Sequence, residues 1–593
     1  MKIIQNFLLI FILFFFIIKD SFAGLGNTTL GPGGIKRDIE VNEIEEIEEI
    51  DQEEKDNESF NNQNFETIEL KKIDLNTVGT LTEKQGGLGY DMWLGTEKNI
   101  ILNYLKNLPI NKESELAIDL IRKLLLSNAD IKDSNGDNEI ILTRINKLIE
   151  LGDFENAKLL IDLIISNDEN EEILRKQTEI NLSLSNFDLV CSNIVEKRKK
   201  FKENFFWWKV EIFCQILNDE SNKANLSLTL LKEKKDFSDE NFFKIIDSLI
   251  YNEEIKDENL FNLDLLNLAM TRIANINIKE RYVLKEDPLF LTMIYRMPNV
   301  PIKLRIEAIE KSKKLLNLPT ETIEEIYNSY EIDEKDKKIS LDEDILLGYG
   351  TQAILFQMAI SEENEEKKVK IINKALEIAA INGNFKLISK LNLNSLLEIK
   401  PSTKLVWFAN NAVKSLLILN EIDAAMEWYK ILKNEKDRNV EIFNNFAELW
   451  PIIELFILRD KGDNKYENVT QEEIIKILNK FQSKNENLNF DTLGFYLLEV
   501  FGVKINPEIW LINIDKEEIE SKEFPNTSLI SLLKLSSEQK RVGETILLIL
   551  MNLETKNFNQ LHPFFLQIVI SSLNQIGLND KSFDLAIETL IDL

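Results

Sequence analysis

The sequence predicts an all-α protein, a superhelix or solenoid of antiparallel helical hairpins, on three observations. Ten of the twenty glycines fall within Gly24–Gly95, so the long remainder lacks the turn punctuation of sandwiches and barrels. That remainder is filled by amphipathic stretches rich in Leu, Ile, Lys, Glu and Asn, long enough for helices and too long for strands. Helix stop and start signals between the stretches recur at a nearly constant spacing.

The spacing is clearest in the first third of the chain. Leu151-Gly152-Asp153-Phe154 reads as a helix stop, a helix start and an apolar lead-in, and Ser185-Asn186-Phe187 and Asn218-Asp219-Glu220-Ser221 hold the corresponding places. Ala157, Cys191 and Ala224 follow these turns, 34 and 33 residues apart. A small residue early in a second helix lets it approach the first closely. The period resembles the tetratricopeptide class of repeat, and Trp208 falls where that class carries an aromatic in its first helix. The resemblance implies stacked hairpins from Asp137 to about Lys232. The first-helix glycine and closing proline of the class are missing. Later turns at Asn382-Gly383-Asn384-Phe385 and Asn420-Glu421-Ile422-Asp423, and a last helix bearing Phe583, Ala586 and Leu590 after Gly577, predict hairpins without a fixed period. Thr322 with Glu325 and Thr470 with Glu473 read as capping boxes.

Three segments precede this body. Lys2, the apolar run Phe7 to Ile18 and the small residues of Ser21-Phe22-Ala23 predict a cleaved secretory signal over residues 1–23. The run is too short for a retained span, which needs about twenty residues. Residues 24–78 are expected to form a disordered acidic linker: between Asp38 and Glu58 twelve acidic residues face the single Lys55, with Ile44, Ile47 and Ile50 isolated among them. Residues 79–95 carry a glycine and aromatic cluster, Gly86-Gly87-Leu88-Gly89-Tyr90-Asp91-Met92-Trp93-Leu94-Gly95, with Thr96 placed to cap the following helix. No lysine follows the glycines and no strand precedes them, so they do not read as a phosphate loop. Tyr90 and Trp93 are expected to plug the open end of the stack. The helical body is expected in two blocks, 96–335 and 336–593, divided near the lysine-rich and acidic stretch at 331–343.

The order of these parts, followed by Leu108-Pro109 and the run Ile121-Arg122-Lys123-Leu124-Leu125-Leu126-Ser127, resembles a family of uncharacterised exported alpha-proteobacterial proteins. Some of these carry the automatic label antifreeze glycopeptide polyprotein. The resemblance implies export and a helical architecture. The label implies nothing here, because the chain has no Ala-Ala-Thr tracts.

Composition argues against most familiar chemistry. A net charge of −30 opposes nucleic acid and anionic lipid surfaces. One histidine and two cysteines leave little for zinc sites or Cys-His and Ser-His pairs. His562, directly before Pro563 and an apolar run, is expected to cap a helix rather than to act as a base. Asp130 to Glu139 is acidic and holds Gly136, but as a calcium loop it would put Ile131 at the first ligand position. Helical superhelices in the periplasm invite comparison with lytic transglycosylases. The Glu-Ser pairs at 58, 113, 220 and 520 lack the Gly-Leu-Met-Gln context of that active site. Lys197 to Lys200, Lys202 and Lys209 alternate with Phe201, Phe205, Phe206, Trp207 and Trp208 in a way that mimics a single-strand binding platform, but the helical spacing predicts packing. No catalytic, cofactor or metal residue is therefore assigned.

The expected function is a non-enzymatic one, holding a protein or peptide partner of the cell envelope in a periplasmic or secreted scaffold without cofactor or nucleic acid. The candidate interaction residues are Tyr90, Trp93, Trp207 and Trp208. The rivals are a cell-wall or carbohydrate-active enzyme on a helical superhelix and a purely structural envelope component. Cys191 and Cys214 are expected to form a disulfide. One lies in a helix ending near Lys199 and the other in a helix beginning near Glu203, so an antiparallel hairpin sets them at equal height.

Overall fold

The computed structural model describes residues 74–591, apart from 111–113, 133–137, 166–169, 235–237, 252–254, 256–259, 261, 280–283, 313–318, 333–349, 461–466, 485–487, 489–491, 512–524 and 554–557. The expected signal peptide and the acidic run at 38–58 lie outside these residues, as do residues 133–137 of the rejected calcium loop. The described residues are all-helical, with twenty-eight α-helices and no strand.

The first half contains α1 (Lys98–Lys106), α2 (Glu115–Leu126), α3 (Glu139–Leu151), α4 (Phe154–Ile165), α5 (Glu171–Ser183), α6 (Phe187–Cys191) and α7 (Ile194–Lys200). It continues through α8 (Phe205–Leu217), α9 (Ser221–Lys232), α10 (Glu240–Tyr251), α11 (Leu265–Ile273), α12 (Pro288–Arg296), α13 (Ile302–Lys311) and α14 (Thr320–Asn328). The second half contains α15 (Thr351–Ser361), α16 (Glu365–Ile381), α17 (Phe385–Leu391), α18 (Leu393–Glu398), α19 (Ala409–Ile418), α20 (Ile422–Glu435) and α21 (Val440–Arg459). It ends with α22 (Gln471–Gln482), α23 (Leu493–Val500), α24 (Pro507–Leu511), α25 (Thr527–Glu538), α26 (Val542–Leu553), α27 (Pro563–Gln575) and α28 (Asn579–Ile591). The boundary expected near residue 335 falls outside the described residues, and α14 and α15 on its two sides pack on each other.

One turn recurs between these helices. A left-handed residue donates its N–H to the carbonyl three residues back, and the next residue donates to the carbonyl five residues behind itself, which satisfies the carbonyls that a helix end leaves orphaned. At Gly152 the two bonds are 2.9 and 2.8 Å, and the same pair forms at Ser185, Asp219, Asn275, Gly383, Asn420, Gly502, Lys540 and Gly577. After seven of these turns the fifth residue on is buried: Ala157, Val190, Ala224, Ile388, Ala425, Thr545 and Ser582. The tight position of the second turn is thus Val190 and not Cys191, which corrects the expected register by one residue.

Cys191 instead ends α6 and is bonded to Cys214 in α8, with Cα atoms 5.5 Å apart. The single helix expected to run to Lys199 is interrupted at Ser192–Asn193, where Asn193 is left-handed, and restarts as α7. The break leaves the disulfide in place because α6 and α7 both pack on α8. Closing this loop stabilises the fold by about 3 kcal/mol in the chain-entropy picture.

Packing starts before the expected end of the linker at residue 78. Leu75 and Asn76 are buried, and the Asn76 side chain accepts from the backbone N–H of Ile141 at 3.2 Å. Arg144, itself buried in α3, donates to the carbonyls of Leu125, Asn76, Val78 and Ser127. Burial lowers its pKa to about 10, yet it stays charged at neutral pH and holds the segment 76–78 against the end of α2.

The two ends of the helical body meet: α26 packs on α1 and α2, and α28 packs on α2. Gly543 donates its N–H to the Met92 carbonyl, and a Cβ added at Gly543 would lie 2.6 Å from the Trp93 ring. Trp93 therefore seals against α26 rather than plugging an open end, while Tyr90 is 58% exposed. Thr96 does not cap α1, whose N-cap is Glu97. It donates to Glu544 at 3.0 Å, and Arg541 donates to the same carboxylate oxygen at 2.7 Å. Farther along, Leu116 donates its N–H to Glu588 at 2.9 Å and Lys581 pairs with Asp119 at 2.9 Å. Among the expected caps, Thr470 accepts from the Glu473 N–H and His562 accepts from the Phe564 N–H. Thr322 caps nothing, because α14 has already begun after Pro319.

Candidate functional site

The four candidate residues fall into two clusters that nothing brings together. Trp207 is fully buried, donates its indole N–H to Glu171 at 3.0 Å and packs against Phe201 and Phe206. Trp208 donates to the Lys202 carbonyl at 2.8 Å, and the Arg198 guanidinium lies 3.6 Å from its ring centre. Lys209 is buried between Asp239 at 2.9 Å and Asp264 at 2.8 Å. Burial opposes its charge, and the two carboxylates outweigh burial, leaving its pKa raised. Much of the basic and aromatic run is thus taken up in packing α7 and α8 into their neighbours. Trp93 is buried against α26, and of the four rings only that of Tyr90 is largely exposed.

A better-formed site lies along the seam between α19 and α21, the first helices of neighbouring hairpins. The turn at Asn420 folds α20 back onto α19, and the buried Ala425 with Trp428 edge-on to Phe408 holds it close. Near the starts of α19 and α21 the seam is polar. Asn410 donates to Glu448 at 2.5 Å and to Asn445 at 3.5 Å, and the buried ammonium of Lys414 donates to the other Glu448 oxygen at 2.5 Å. The row continues sideways, since Asn411 donates to Asn373 of α16 at 2.8 Å and Asn373 donates to Glu377 at 2.7 Å.

Near the ends of the same helices the seam is apolar and opens. Leu417, Ile422 and Met426 face Ile453, Phe456 and Ile457 across a cleft of about 160 Å³, with Arg459 and Asp460 at its rim. Arg459 is held by Asp584 of α28 at 2.9 Å and lies 5.7 Å from the Phe456 ring centre. Behind the cleft, Tyr429 donates to Asn468, which donates in turn to Glu454 at 3.2 Å. Burial raises the Glu454 pKa and the Asn468 hydrogen bond only partly offsets it.

The sequence marked the turn at Asn420–Asp423, which includes Ile422, but no motif singled out the polar row or the rest of the cleft lining. A signal existed in hindsight: Asn373, Asn410 and Asn445 recur 37 and 35 residues apart, close to the hairpin period. Among the described residues no group of three or more His, Cys, Asp or Glu side chains converges as a metal site would. No protein-family model, curated protein or solved structure matches the chain.

Proposed function

We propose that the chain is an exported scaffold of stacked, partly tetratricopeptide-like helical hairpins that binds a protein or peptide partner of the cell envelope at the α19–α21 seam. The cleft size carries this reading. Sites for small molecules and cofactors run to about 300–1,000 Å³, whereas a cavity of about 150 Å³ accommodates a single benzene ring. The 160 Å³ cleft suits one apolar side chain of a partner, and the adjoining row of amides, Lys414 and Glu448 suits that partner's polar groups. Export accords with the leader sequence and with a disulfide, which persists in oxidising compartments. No helix among the described residues is long and apolar enough to cross a membrane.

Photo-crosslinking from a benzophenone amino acid placed at Met426 tests the reading in the producing cell. One discrete protein adduct is expected, abolished by Ile457→Trp, which fills the cleft. Adducts that survive filling of the cleft, or no adduct at all, would count against it.

A further inference from the structure

We propose that His562, Phe564 and Tyr496 form a stacking site for the ring of an uncharged saccharide, separate from the α19–α21 seam. Phe564 is 60% exposed at the start of α27, which forgoes much of the roughly 1.5–3 kcal/mol that burying such a side chain returns. It is nevertheless held in position. The His562 ring lies almost parallel to it, with centroids 5.5 Å apart and planes 11° apart, and His562 also accepts from the Phe564 N–H at 3.3 Å. Pro563 fixes the chain between the two rings. Tyr496 of α23 meets Phe564 edge-on at 6.1 Å and 78°, and its hydroxyl donates to Gln567 at 2.9 Å.

The arrangement selects among ligands. The exposed Phe564 ring, steadied by the His562 ring stacked on it, offers a fixed aromatic surface, and such a surface suits the flat C–H face of a pyranose. Gln567, one helical turn after Phe564 and exposed, adds amide donors for sugar hydroxyls beside the rings. Glu499, exposed on the same helix as Tyr496, and the net charge of −30 disfavour anionic glycans and nucleotides.

Saturation-transfer NMR and calorimetry on the full chain, with cellotetraose and the tetramer of N-acetylglucosamine as probes, test this. At least one probe should bind. Phe564→Ala should weaken it about tenfold, as loss of an aromatic contact does, with the helical circular dichroism unchanged. Tyr496→Phe, which keeps the ring and loses the hydrogen bond to Gln567, should weaken binding by a smaller factor, and Phe564→Trp should preserve it. The proposal is overturned if neither tetramer binds, if Phe564→Ala binds as the natural chain does, or if choline binds more tightly than either sugar.

Discussion

The backbone N–H of Gly543 donates to the carbonyl of Met92 at 2.9 Å, joining the glycine and aromatic segment before α1 to the start of α26. Trp93 covers that glycine so closely that no Cβ fits.

Gly543→Ala is therefore expected to destabilise the fold by about 1–3 kcal/mol, as overpacking does, although a glycine-to-alanine change inside a helix ordinarily stabilises by up to about 1 kcal/mol. Denaturant titration measures it. A double-mutant cycle with Trp93→Ala should recover most of the loss, and a neutral Gly543→Ala would contradict the close contact of Trp93 with α26.

Arg144→Met should release the chain ahead of α1. The substitution leaves several buried carbonyls without donors, each costing about 1–3 kcal/mol, so a loss of at least about 2 kcal/mol is expected. Limited proteolysis should show new cleavage around residues 76–82 before the helical body is cut.

Lys540 adopts φ of 54° and is exposed at its turn. A side chain in the left-handed region costs about 1–2 kcal/mol and glycine's extra chain entropy about 0.5–1 kcal/mol. Lys540→Gly should accordingly stabilise by about 0.5 kcal/mol, read as a rise in thermal midpoint.

Glu454 has a raised pKa in the folded chain, so folding favours its protonated form. Its contribution to stability consequently worsens as pH rises through the window from the ordinary glutamate pKa to the raised one, and stays worse above it. Glu454→Gln should be more stable than the natural chain at pH 7. The difference should vanish as pH falls below the ordinary glutamate pKa, in unfolding curves taken at each pH.

The turns explain how much of this fold was legible in the sequence. Glycine marks four of the nine recurring left-handed turns, at 152, 383, 502 and 577, and Ser185, Asp219, Asn275, Asn420 and Lys540 occupy the others. Asn and Asp tolerate that conformation through local hydrogen bonds, but Lys540 gives no sequence signal. The Cys191–Cys214 pair was legible because equal height in a hairpin survives a one-residue error in register and a break in one helix. The contact of Met92 and Trp93 with Gly543 was not, since nothing local specifies a partner hundreds of residues away. The candidate site was missed for a related reason. Aromatics stand out in a sequence, yet Trp93, Trp207 and Trp208 are buried for packing, whereas the α19–α21 seam is built from ordinary Asn, Leu, Ile and Lys residues made distinctive only by adjacency.

The most direct test of the scaffold reading compares cleft filling with an alanine scan of exposed Asp, Glu, Lys and His residues in the producing cell. Each variant is scored by cellular phenotype and by circular dichroism. The account predicts that Met426→Trp and Ile457→Trp abolish function with the helical signal intact, while single alanine substitutions of exposed polar residues each weaken it only slightly. A folded variant that loses all function through one carboxylate, with the cleft-filled variants active, would contradict it in favour of catalysis.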